Sequence, residues 1–163
     1  MGQPKIAYCG QYNLASGGTS IHKRLMVYSD AGARGNPGPA AAACIVTTED
    51  GQVLMAKSRY IGVRTNNQVE YEALIMALDS ALALGAEEVV SHLDSELVVK
   101  QLRGEYAVKN PELKQLWKQV QELVKQLRGI QFINMPRTHP QIQQVDKLVN
   151  KTLDAVTGKA QET

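Results

Sequence analysis

A chain of 163 residues is enough for one domain with a proper core and short for two. With 44% hydrophobic and 21% charged residues it is expected to be soluble and globular, and no apolar run is long enough to span a bilayer as a helix. The net charge of +2 is unevenly placed: residues 1–25 carry Lys5, Lys23 and Arg24 and no acid, which leaves 15 basic and 16 acidic residues in the rest. That excludes a polybasic nucleic-acid binder, so any phosphate must be held by local donors rather than by a global field.

Residues 1–24 are rich in Gly, Ser and Gln and read as an N-terminal arm, flexible or loosely docked. Their N-terminal end lacks the apolar centre of a secretory signal, and Cys9 and Cys44 have no metal-ligand spacing, so reduced thiols and a cytoplasmic location are expected. The folded domain is expected over 25–157, with 158–163 as a tail.

Three strands come first, over 25–29, 40–47 and 52–60. Gly35-Asn36-Pro37-Gly38-Pro39 makes the first turn, and Asp50-Gly51 between apolar runs is a hairpin signal. The period then changes. Val69, Ala73, Leu74, Ala77, Leu78, Ala81 and Leu84 form a helical stripe over 68–84, stopped by Gly85. A fourth strand is expected over 88–93 and a short helix over 96–103. A longer helix over 111–128 has Pro111 in its first turn and Gly129 after its end. A fifth strand over 130–134 and a closing helix over 142–156 complete the order β-β-β-α-β-α-α-β-α. A meander followed by βαβ crossovers gives an α/β domain: a mixed five-stranded sheet of three antiparallel and two parallel strands, with helices on both faces.

Four carboxylates stand out against this frame. Asp30 ends the first apolar run and opens a turn containing Gly32, Gly35 and Gly38, where backbone can approach a ligand closely. Glu70 lies at a helix start; Asn67 and Glu70 have capping-box spacing, so Glu70 fits either a cap or a ligand aimed at the sheet edge. Asp94 follows the fourth strand and fits either a helix cap, in competition with Ser95, or a site role. Asp146 lies beside the apolar stripe of the last helix, where it fits either a surface acid or a fourth ligand. Converging carboxylates repel unless cations sit between them, which is the logic of a magnesium site for phosphoryl chemistry.

Asp30-x-Gly32-x-x-Gly35-Asn36-Pro37-Gly38, Thr65-Asn66-Asn67-x-x-Glu70 and Asp94-Ser95 occur in the order and at the spacing of a known family. From about Met26 to about Val156 the chain resembles type 1 ribonuclease H. The resemblance implies the ribonuclease H-like fold and an endoribonuclease that hydrolyses the RNA strand of RNA/DNA hybrids, leaving 5′-phosphate and 3′-hydroxyl ends. It implies two Mg²⁺ ions, for which Mn²⁺ can substitute, held by Asp30, Glu70, Asp94 and Asp146. It also implies contacts to the hybrid from Gly35, Asn36, Asn66 and Glu96, and a DNA-phosphate pocket at Thr65 and Asn110. No membrane partner is expected, and the protein is expected to be a monomer.

The chain departs from the family pattern at several places. Ile142 stands where an Asn usually precedes the last Asp, Glu96 where a Gln is common, and no basic protrusion lies between Gly104 and Pro111. The loop histidine associated with product release is absent: its place falls at Pro136, beside Arg137. Arg137 can hold a phosphate by its planar fork, and His139 on the same loop can titrate near neutrality. These departures leave two other readings, a catalytically weak or dead hybrid-binding module and another nuclease of the same superfold.

Overall fold

The computed structural model describes residues 23–158. The sheet has strands β1 (Arg24–Ala33), β2 (Gly38–Thr47), β3 (Val53–Arg64), β4 (Glu88–Leu93) and β5 (Gly129–Asn134). The helices are α1 (Asn66–Ala83), α2 (Glu96–Leu102), α3 (Pro111–Val124) and α4 (Pro140–Thr157). The strand order is β3-β2-β1-β4-β5, with β1, β2 and β3 antiparallel and β4 and β5 parallel to β1 and to each other. This is the mixed sheet expected from the element order.

Alternation along the strands divides the core. Leu25, Val27, Ala40, Ala42, Cys44, Val46 and Val89 face a layer that includes Val69, Leu74 and Leu78 of α1, Val98 and Val99 of α2, and Leu113 and Val120 of α3. The opposite face of β2 offers Ala41, Ala43 and Ile45 to Val145, Val149 and Leu153 of α4. Small side chains on β2 let α4 lie close to the sheet, and Arg34 ties its far end by an ion pair to Asp154 at 2.7 Å.

Several boundaries differ from the sequence expectation, each for a local reason. β1 runs past Asp30 to Ala33 because β2 continues to pair with it, Ala33 opposite Ala40. β3 reaches Arg64, four residues further than expected, through Gly62 at φ 102° and a register shift at Ala40/Ala41. α3 ends at Val124, not at 128, and Gly129 opens β5 instead of ending the helix. Lys23 and Arg24, assigned to the arm by composition, join the domain: the Lys23 carbonyl accepts from the Glu87 and Glu88 amides, and Arg24 opens β1. Residues 1–22 of the expected arm and 159–163 of the expected tail lie outside the described residues, as does Cys9. Cys44 is a buried free thiol.

Candidate active site

The parallel register places the first two carboxylates. β1 and β4 pair from Arg24 opposite Glu88 to Tyr28 opposite His92. The same offset carried two residues further sets Asp30 against Asp94, just where β4 has ended and the ladder opens. Asp30 is therefore inside β1, paired with Ala43 on one side and bordering the gap on the other, rather than at a strand end.

The turn after β1 brings in the third. Gly35 has φ 107°, and a Cβ on Gly38 would lie 2.2 Å from the Arg34 carbonyl oxygen, so this turn closes only around glycine. Asn36 Oδ1 accepts from the Asn66 backbone N–H at 2.9 Å, fastening the turn to the start of α1. Thr65 is the N-cap of α1: its hydroxyl accepts from Gln68 N–H at 3.2 Å, and Gln68 Oε1 accepts from Thr65 N–H at 2.9 Å. The capping box is thus Thr65 and Gln68, not Asn67 and Glu70. Glu70 is left outside the cap, one turn into a helix that is fixed at its first residue. Ser95 likewise takes the N-cap of α2, accepting from Val98 N–H at 3.3 Å, which leaves Asp94 outside that cap.

Asp30, Glu70 and Asp94 each place a carboxylate oxygen so that the three lie within 4.8 Å of one another. Asp30 is 1% exposed, and among the described residues neither of its carboxylate oxygens nor Glu70 Oε1 has a hydrogen-bond partner. Buried carboxylates without donors are costly, and the cost appears in their protonation. Burial, then the charge of Asp94, then the approach of Asp146 push the Asp30 carboxyl up to about 8, against a smaller downward pull from the Ala31 amide. Burial, then the charges of Asp30 and Asp94, hold Glu70 well above its usual range, and Arg137 pulls it back. An oxygen-lined, electron-rich cluster with unpartnered oxygens is able to hold a hard divalent cation.

Asp146 is not part of that close group. It is half-buried on α4, accepts from Asn150 Nδ2 at 3.1 Å, and lies near enough to Asp30 to raise its carboxyl. Arg137 joins the two outer acids, with Nε 3.5 Å from Asp94 and one terminal nitrogen 4.0 Å from Asp146. His139 is the N-cap of α4; its Nδ1 accepts from Gln141 N–H at 3.2 Å, and its ring stacks on Tyr28 at 6.5 Å. Tyr28 in turn stacks on His92 at 4.4 Å. His92 is buried, with Nδ1 2.9 Å from the Val27 carbonyl oxygen, and desolvation lowers its pKa. It is a packed residue. Sequence reasoning did not find this ring stack, although strand alternation puts Tyr28 and His92 two residues before, and on the same faces as, Asp30 and Asp94.

Of the expected substrate contacts, Asn36, Thr65, Asn66 and Asn110 gather around the starts of α1 and α3. Asn110 caps α3, its Oδ1 accepting from Glu112 and Leu113 N–H, and its amide donors have no partner among the described residues. Gln68 Nε2 donates to Glu112 Oε1 at 2.9 Å, bridging the two helix starts, a link the sequence did not suggest. Glu96 lies apart, paired with Lys100 at 3.0 Å on α2. Glu72 pairs with Arg64 at 2.6 Å, outside the acidic cluster.

A five-stranded sheet in the order 3-2-1-4-5, with an acidic triad where β1 and β4 part, defines a ribonuclease H fold able to hold metal at its edge. The family described as reverse transcriptase-like matches residues 28–152. The chain is 41% identical over 138 residues to the bifunctional protein Rv2228c of Mycobacterium tuberculosis; the match spans 84% of this chain and 37% of that protein. The solved N-terminal RNase H domain of that protein superposes with TM-score 0.80 at 40% identity, covering 85% of this chain and 99% of the domain. RNase H1 of Halobacterium salinarum gives TM-score 0.78 at 36% identity, with 81% of this chain and 98% of that one covered. An RNase H1 from compost, LC11, solved in complex with an RNA/DNA hybrid, gives 0.77 at 38%, with 82% and 99% covered. The chain belongs to the ribonuclease H-like family.

Proposed function

We propose that the protein is an endoribonuclease that hydrolyses the RNA strand of RNA/DNA hybrids, leaving 5′-phosphate and 3′-hydroxyl ends. The observation that carries this reading is the carboxylate cluster of Asp30, Glu70 and Asp94, in which both Asp30 oxygens and Glu70 Oε1 are buried without a hydrogen-bond partner among the described residues. Oxygens buried without donors fit a cation and little else. Asp30, Glu70, Asp94 and Asp146 would hold two Mg²⁺ ions, whose chemistry there would be activation of a water and stabilisation of the leaving 3′-oxygen.

The chain's own residues provide the frame for that chemistry. Asp30, on a rigid strand and with both oxygens unpartnered among the described residues, would be the central carboxylate holding the metal. Glu70 and Asp94 flank it from α1 and from the end of β4, and Asp146 is the peripheral fourth ligand. Gly35, Asn36 and Asn66 present backbone and short amides suited to a shallow minor groove, where 2′-hydroxyls distinguish RNA. Thr65 and Asn110 hold a phosphate of the DNA strand with donors their capping bonds leave free. Glu96, turned to Lys100, gives at most a minor contact. The hybrid bound to the LC11 structure supports this substrate class. Among the described residues no helix is long and apolar enough to cross a membrane. A cytoplasmic monomer completes the reading.

The test is cleavage of an end-labelled RNA/DNA hybrid with Mg²⁺ or Mn²⁺, with duplex DNA as control. Cutting confined to the RNA strand and abolished by EDTA is expected. Hybrid binding without cleavage across both metals and a broad pH range would instead define a binding module and overturn the enzyme reading.

A further inference from the structure

Arg137 occupies an unusual position for a side chain that is 70% exposed. It is turned back onto the acidic site, 3.5 Å from Asp94, which is 8% exposed, and 4.0 Å from Asp146. Its charge also reaches Glu70, where it opposes the effects of burial and of the neighbouring acids. The loop that carries it is held at both ends. Met135 N–H donates to the Leu93 carbonyl at 2.9 Å, next to Asp94. At the other end His139 caps α4 and stacks on Tyr28. Loop and guanidinium are thus anchored to the same strand ends that present the carboxylates.

We propose that Arg137 is the resident counter-cation of the carboxylate site, which divalent metal must displace from Asp94 and Asp146, so that the arginine sets the metal concentration at which the site fills. This rests on the metal-binding reading above and goes beyond it. The site does not stand as bare repelling charge before metal arrives; one positive group bridges its outer acids. Metal binding therefore competes with an ion pair already made. The displaced guanidinium, tethered at Met135 and His139, stays beside the site, where its planar fork suits a phosphate oxygen.

The experiment is calorimetric titration of Mg²⁺ into the full chain, without nucleic acid, for the wild type, Arg137→Ala and Arg137→Lys, with Asp30→Asn as control. Arg137→Ala is expected to bind Mg²⁺ about fivefold more tightly, the size of one exposed ion pair at roughly 1 kcal/mol. Arg137→Lys, which keeps the charge, is expected to return towards wild-type affinity. The metal-free melting temperature of Arg137→Ala should fall slightly while its gain on adding Mg²⁺ grows, a pattern that simple loss of packing would not produce. Measurable binding with equal or weaker affinity in Arg137→Ala would overturn the counter-cation role and leave the metal site standing. Mg²⁺ binding unaffected by Asp30→Asn, or absent in every variant, would overturn both.

Discussion

Asp30 is a residue whose ionisation the fold opposes. It sits 1% exposed, with both oxygens unpartnered and a second acid across the open end of the ladder. Asp30→Asn removes the charge shared between the proposed ions while keeping the shape. Turnover should fall by at least about a thousandfold, roughly 4 kcal/mol of barrier. The metal-free protein should become more stable, because an amide ends the like-charge repulsion. Asp146→Asn should retain more activity, since Asp146 lies outside the close triad. Steady-state rates with Mg²⁺ and melting curves in EDTA check both effects; near-normal turnover in Asp30→Asn would refute the site. In sequence, each acid had a competing explanation as a turn, cap or surface residue. For Glu70 and Asp94 the cap is taken by neighbours, Thr65 with Gln68 and Ser95. What could not be read was the reach of Arg137, because a loop's return onto a sheet edge depends on anchors at Met135 and His139 that leave no periodic trace.

At the scale of elements, apolar runs, turn residues and helical stripes located every described strand and helix. Ends were less legible. β1 extends to Ala33 through hairpin pairing with Ala40 of β2, and α3 stops at Val124 with no glycine to mark it. The break at Ile142 also has an element-scale cause: that position is fully buried in the first turn of α4, where an apolar side chain suits the core. The helix starts make a sharper prediction. Gln68 closes the α1 capping box and bridges to Glu112 on α3, so one side chain fixes Thr65 relative to Asn110. Gln68→Ala should cost about 1 kcal/mol of stability, the usual worth of a cap. It should raise KM for the hybrid a few-fold, because the phosphate pocket spans the two helices. The single-turnover rate at saturating enzyme should stay nearly unchanged, because the acids are held elsewhere. A lowered single-turnover rate with normal KM would mean that the box serves Glu70 rather than the pocket.

For the whole molecule, the acidic site makes folding depend on pH and on metal together. In the unfolded chain an aspartate titrates near 3.9, whereas folded Asp30 is held up to about 8. Between those values the folded state binds more protons than the unfolded one, so stability falls as pH rises, and the loss is complete above about pH 8. Glu70, also raised, acts in the same direction. Bound Mg²⁺ compensates the charges that burial penalises, and a ligand for the folded state stabilises it by mass action. The gain in melting temperature on adding saturating Mg²⁺ should therefore be larger at pH 8 than at pH 5.5. At pH 5.5 a proton on Asp30 competes with the ion. Asp30→Asn should reduce both the pH slope of the metal-free protein and the Mg²⁺ gain at pH 8. Melting curves of wild type and variant at the two pH values, each with EDTA and with Mg²⁺, make the comparison. A Mg²⁺ gain equal at both pH values, or unchanged in the variant, would show that the stabilising ion binds somewhere other than the Asp30 cluster.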